Sequence, residues 1–458
     1  MSAASLGSAV VVALATLASL VVPPSAVAAS PGIDEILAAN RRAVGGQREG
    51  GTLELQYDYA TGDMTGTAHS IVDRASGAYV ERYVLGPSHG ASGFDGRHAW
   101  MEDLSGAVTP QDGGDRVALA INEAYRNANR WWRRDRGGAR IESLGRERID
   151  DLDAWHLRVT PPHGKTFDAW FDVASGHLVR LDEEQQFLHV VSRFSDYAPR
   201  DGVRIPETVR VDSGGGPAGL ATLRLTRAML GPAQGPDRYA MPPWAARDAS
   251  IEGGSGQATV PFRLVNNHIF VDAMVNGQGP FAFFVDTGGH TIVTPFALAK
   301  LGLTAQGSSP SGGAGEQMVT NGFVHVREIA LGALRFRDQT AFTVDLAPRE
   351  TEGLDVGGMV GFELFRRFVV RIDYAASTVT FIDPARFDAR GAGTAVPFRF
   401  YDHQPQVEGA FEGLPARFDI DTGSRSDVDL TSPFVERARL RETHPDAVLA
   451  LTGWGVGG

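Results

Sequence analysis

The sequence predicts a mainly β protein in two parts. An N-terminal antiparallel, half-barrel-like sheet crossed by a helix precedes a bilobal all-β region. Three observations carry this expectation. Residues 31–230 hold short runs with partial period-2 alternation and β-branched or aromatic content: TLELQYDY (52–59), GAYVERYVL (77–85), DAWHLRVTP (153–161), KTFDAWFDV (165–173) and HLVRLDEE (177–184). Turn signals such as Ala174-Ser175-Gly176 and Arg200-Asp201-Gly202 separate them, and one helical period interrupts them from Arg116 to Trp132. Finally, a strand-and-turn unit in the second part recurs 135 residues downstream.

The 458 residues are 43% hydrophobic, enough for sizeable cores, and the net charge of −12 argues against a nucleic-acid or anionic-membrane surface as main partner. The run AVVVALATLASLVV (9–22), followed by Pro23-Pro24 and an Ala-x-Ala at Ala26–Ala28, reads as a signal peptide over 1–29 and an exported, periplasmic or secreted chain. No Lys or Arg precedes that run, which leaves a short N-terminal anchor open, and no membrane span is expected in the mature chain. The absence of cysteine excludes disulfides, thiol catalysis and Cys-ligated zinc. The 12 His residues form no metal-ligand spacing, and no G-x-S-x-G, S-x-x-K or Walker A motif occurs, so neither metal nor cofactor is expected.

Boundaries follow from changes in style. An antiparallel β domain is expected over 30–230, and a Pro- and Gly-dense linker over 231–256. A first lobe (257–390) and a second (391–458) complete the chain. GFDGRHAWMED (93–103), FDVASGHLVRLDE (171–183) and DGVRIPETVRV (201–211) resemble bacterial lipoprotein-carrier domains of the half-barrel type. That resemblance implies a concave face able to take a lipid or peptide ligand; a purely structural or pro-segment role stays equally open.

Chemistry enters with the repeat. PFAFFVDTGG (280–289) and PARFDIDTGS (415–424) superimpose, with VDAMVNG (271–277) against VEGAFEG (407–413) upstream and TPF (294–296) against SPF (432–434) downstream. Each places an acid directly behind an apolar strand, where burial is costly unless the group is used. The paired units resemble the pepsin and retropepsin type of aspartic peptidase, in which two lobes each contribute a D-T-G aspartate. The resemblance implies Asp286 and Asp421 as the catalytic pair, sharing one proton and activating a water against a peptide bond. It assigns Thr287 and Thr422 to cross-bonding between lobes, Gly288 and Gly423 to presenting N–H groups to the carboxylates, and Ser424 to the supporting fourth position. Gly289 departs from that position's usual Ser, Thr or Ala, so an outer hydrogen bond to Asp286 is expected to be missing.

Further parts of the first lobe follow the family outline. PFALAKLGL (295–303) is expected to be a short helix, and 308–326 a glycine-rich flap without tyrosine. Met359, Val360 and Gly361 match the apolar-apolar-Gly element that packs beside the catalytic loop. The second lobe is expected to be incomplete, because only 37 residues follow Asp421. His290 and Arg425 read as ordinary loop residues, Arg130–Arg134 as a helix end covering the sheet, and His98 and His156 as packing or surface groups.

The preferred function is an exported aspartic endopeptidase acting on a peptide or protein substrate. A retropepsin-like homodimer using only Asp286 of each chain, and a non-catalytic periplasmic lipid- or peptide-binding carrier, are the alternatives. Oligomeric state is not legible.

Overall fold

A computed structural model describes residues 31–45, 50–185, 188–214, 216–312, 318–346 and 352–448. The expected signal segment, the glycine-rich centre of the expected flap (313–317) and the final TGWGVGG lie outside the described residues.

Mainly β architecture is what the chain adopts. Among the described residues a 13-stranded, wholly antiparallel sheet is built from 52–231. Its two halves meet where Thr52–Thr61 pairs with Leu220–Gly231. The chain leaves one edge of this sheet at Val108–Pro110 and reaches the opposite edge at Arg140–Ile149. The helix Gly114–Asn127 makes that crossing. Ala120 and Ala124 pack on Val72, Tyr79 and Phe94 of the first half, whereas Tyr125 and Trp131 pack with Leu157, Phe167 and Phe171 of the second. The helix therefore bridges both halves through alternate faces of one amphipathic turn pattern. It ends at Asn127 rather than Trp132, because Asn129 takes a left-handed conformation (φ 45°) and a 3₁₀ turn, Arg130–Trp132, follows. Trp131 there is core, while Arg130 reaches the Ser76 carbonyl. His156 stacks on Trp170, and His98 is tied to Asp95 at the surface.

The expected linker is more structured than its composition suggests. Within 231–256, Ala249–Ile251 adds a strand to the next sheet, Tyr239 is buried against Trp100, and Trp244 lies under the guanidinium groups of Arg366 and Arg367. Proline density there shapes an extended, packed path instead of a free tether.

Beyond it, a nine-stranded mixed sheet surrounds an apolar core that includes Val271, Phe283, Val285, Val326, Phe336 and Val360. Two hairpins embody the sequence repeat. His268–Val275 pairs with Gln278–Val285, and Gln404–Phe411 pairs with Leu414–Asp419. Both turn through two residues at positive φ, Asn276-Gly277 (51°, 79°) and Glu412-Gly413 (50°, 81°), as a tight hairpin requires. Their settings differ. Gln278–Val285 is an interior strand flanked by His268–Val275 and, in parallel, Val356–Val360. The second hairpin belongs to a separate three-stranded sheet whose outer strand is Arg399–Tyr401, and its residues are mostly half-buried or exposed.

Candidate active site

Asp286 leaves the end of an interior strand, and its N–H donates to the Val360 carbonyl (3.1 Å). The apolar run before it fills the sheet core, so the backbone at the acid is fixed by packing on both sides. Asp421 follows the outer hairpin at the matching point of the second unit. The structure brings the two carboxyl groups into hydrogen-bonding contact.

Both threonines cross between the units. The Thr287 N–H donates to Thr422 Oγ1 (3.1 Å), and the Thr422 N–H donates to Thr287 Oγ1 (3.0 Å). Each hydroxyl in turn donates to a carbonyl of the opposite strand end, Thr287 to Ile420 (2.6 Å) and Thr422 to Val285 (2.9 Å). Four backbone groups are satisfied by two hydroxyls, each using its one donor and its acceptor capacity.

The glycines allow this approach. Gly288 N–H donates to Asp286 Oδ1 (2.7 Å) and Gly423 N–H to Asp421 Oδ1 (2.8 Å). A Cβ on Gly288 would lie 2.7 Å from the Asp421 carboxyl carbon, and one on Gly423 would lie 2.4 Å from that of Asp286. Gly361 is required for a related reason: its Cβ would sit 2.2 Å from the Gly289 carbonyl oxygen, against the back of the Asp286 loop. Burial, then the charge of Asp421 and the hydrogen bond with it, push the Asp286 carboxyl up to about 8. Asp286 thus tends to keep its proton near neutral pH.

The fourth positions do not behave alike. At Gly289 the Met359 methyl lies 2.3 Å from where a Cβ would be, so Met359 fills the space of the missing side chain. Ser424, expected to support the dyad, commits its hydroxyl to Asp429 Oδ2 (3.0 Å) and accepts the Ser426 N–H. A charged acceptor within the same loop outcompetes the dyad for that donor. Ser424 therefore orders the loop after Asp421 rather than the carboxylate itself.

Sequence reasoning missed a polar cluster behind the first loop. Glu363, 3% exposed, accepts from His290 Nδ1 (2.6 Å), the Thr291 N–H (2.7 Å) and the Thr291 hydroxyl (2.9 Å). Burial alone would raise the Glu363 carboxyl; the His290 charge overrides it and brings it down to about 2. Burial alone would lower His290; Glu363 instead raises it to about 9. His290, half-buried, is therefore paired with a buried carboxylate rather than being an ordinary loop residue. Its ring lies 4.1 Å from that of His403, whose Nε2 is 2.8 Å from the Gly288 carbonyl oxygen. That oxygen can only accept, so His403 carries its proton on Nε2. An acid inside the apolar stretch GFELF was the available signal for Glu363, the same kind of clue that Asp286 offered. His403 had no comparable signal. Arg425 bonds the Asn266-Asn267 turn that leads into His268–Val275: its carbonyl accepts from Asn267 and its guanidinium donates to Asn266 (3.3 Å).

Among the described residues no group of three or more His, Asp or Glu is arranged to hold a metal ion, and no helix is long and apolar enough to cross a membrane.

Residues 271–364 match the family model described as aspartyl protease. No curated protein matches the chain. Among solved structures, a LolA superfamily protein from Nitrosomonas europaea is similar at 13% identity, covering 46% of this chain and 98% of its own, with a TM-score of 0.33. A putative outer membrane lipoprotein-sorting protein domain from Vibrio parahaemolyticus is similar at 9% identity, covering 43% of this chain and 93% of its own, with a TM-score of 0.31. An aspartyl protease family domain is therefore present at 271–364, and it contains Asp286 and Glu363 while ending before Asp421.

Proposed function

We propose that the protein is an exported aspartic endopeptidase that hydrolyses peptide bonds with a water activated by Asp286 and Asp421. The observation that carries this reading is the reciprocal Thr287–Thr422 lock, which holds two D-T-G loops face to face with their carboxyls in contact. Two carboxylates so close do not both ionise. The ionised member takes a proton from a water held between them, the protonated member donates to the scissile carbonyl oxygen, and the water oxygen adds to the carbonyl carbon. Donors from Gly288 and Gly423 hold the carboxyls still through this exchange.

The contact between Asp286 and Asp421 within one chain supports the two-aspartate reading over the homodimer. The deciding experiment is turnover of a fluorogenic peptide library by the full chain, by Asp286→Asn and by Asp421→Asn, over a hundredfold dilution. Both variants are expected to lose hydrolysis, and specific activity to stay constant on dilution. Wild-type turnover in either variant would sink the two-aspartate mechanism; activity falling with dilution and indifferent to Asp421→Asn would favour the homodimer.

A further inference from the structure

The outer strand of the second hairpin sheet, Arg399–Tyr401, would leave unpaired N–H and C=O groups on its free side, as any edge strand does. A segment of the N-terminal region occupies that side. Gly113 N–H donates to the Phe400 carbonyl (2.8 Å), and the Phe400 N–H donates to Asp112 Oδ1 (2.9 Å). One step along, the Gln111 amide pairs with the backbone of Asp402 in both directions. Its Nε2 donates to the carbonyl (2.7 Å) and its Oε1 accepts the N–H (2.8 Å). Arg116 then bonds the Asp402 carboxylate (2.7 Å) and covers the Tyr401 ring. Burial would raise the Asp402 carboxyl, but His403 and Arg116 hold it well below the usual carboxylate range. Close approach depends on Gly113, whose Cβ would lie 2.7 Å from the Phe400 oxygen.

Next to Asp402 stands His403, the residue that donates to the carbonyl of Gly288. The N–H of that same glycine holds Asp286. The N-terminal region also grips the first unit just upstream, where Arg366 donates to the Val108 carbonyl (2.9 Å) and Arg367 to Ser105 (3.2 Å). Glu363, which anchors His290 and Thr291, lies on the short helix Phe362–Phe365 just ahead of these arginines. One stretch, 105–116, thus touches both units that carry the candidate dyad.

We propose that 111–116 completes the candidate active site by adding to the edge of the second hairpin and so holding His403 on the Gly288 carbonyl. Gln111, Arg116 and His403 are accordingly positioning residues for the Asp286 loop. The N-terminal region is then a working part of the enzyme and not a removable tether or a plug. Without it the second hairpin, poor in buried contacts of its own, loses the hydrogen bonds on its outer edge, and the first loop loses the His403 tie that joins it to that hairpin beside the threonine lock.

This inference rests on the peptidase reading for its kinetic readout, whereas amide exchange tests it without turnover. In the full chain, hydrogen exchange of 284–290, 399–404 and the core strand 324–331 is followed by mass spectrometry in wild type, Gln111→Ala/Arg116→Ala, Asp402→Asn, His403→Ala and His403→Gln. The double variant and His403→Ala are expected to exchange at least tenfold faster over 284–290 with 324–331 unchanged. Their kcat is expected to fall tenfold or more with KM within twofold. Asp402→Asn should move the same way by less, and His403→Gln, whose amide can reach the same carbonyl, should recover most of both losses. Unchanged exchange over 284–290, or acceleration shared equally by 324–331, overturns the proposal. If the wild-type chain cleaves nothing while exchange responds as expected, the peptidase reading falls and the clamp stands.

Discussion

Thr287 and Thr422, 135 residues apart, each accept the other's backbone N–H on their side-chain oxygen. This places the two aspartates by the shortest available route, one residue from each. Thr422→Val keeps the shape and removes the hydroxyl. The Thr287 N–H and the Val285 carbonyl then lose their partner, at about 1–3 kcal/mol for a part-buried group. We expect chemical denaturation to read a loss of that order, and kcat to fall about tenfold or more. A Thr422→Ser variant should restore most of both.

Asp286→Asn should be inactive yet more stable than wild type at pH 7. The Asp286 carboxyl is raised from 3.8 to about 8, so the folded state binds a proton that the unfolded chain releases. Stability therefore declines as pH rises from about 4 to about 8, and the amide removes that decline. A gain on the order of 1–3 kcal/mol at pH 7, vanishing below pH 4, is the expected melting result.

Neighbouring glycines should respond differently. Gly288→Ala drives a methyl into the Asp421 carboxyl, at 2.7 Å from its carbon. A hundredfold or greater loss of turnover in a folded protein is expected, about 2.7 kcal/mol in transition-state terms. Gly289→Ala meets chiefly the end of the flexible Met359 side chain. It should keep activity within about tenfold, because methionine repacks readily.

Glu363→Gln should destabilise the fold in a pH window set by two groups. His290 is raised from 6.5 to about 9, so its contribution is complete below about 6.5 and lost as pH climbs through about 9. Glu363 is lowered from 4.5 to about 2, so its contribution is complete above about 4.5 and lost as pH falls through about 2. The stability difference between wild type and variant should peak between pH 4.5 and 6.5, at about 3–5 kcal/mol for an ion pair broken from one side. Melting curves from pH 3 to 10 check the shape.

What could be read in advance followed from local rules. Alternation and turn residues identified five runs that lie on strands of the 13-stranded sheet, and an apolar strand ending in an acid marked Asp286 as a candidate. Repetition of that pattern marked Asp421 as its candidate counterpart. The bond from the Ser424 hydroxyl to Asp429 was not legible, because a motif position does not reveal which acceptor lies within reach.

The amino-acid sequence by itself determined the β character, the duplicated D-T-G units and the conformation each unit needs, since these depend on residues a few positions apart. Tertiary structure alone decided that Arg116 would meet Asp402 across 286 positions, that His403 would hold the Gly288 carbonyl, and that Glu363 would be buried beneath His290. Periodicity reports which face of an element is buried, but not what is packed against it. Partners of a buried charge or a free sheet edge are selected only when distant elements converge.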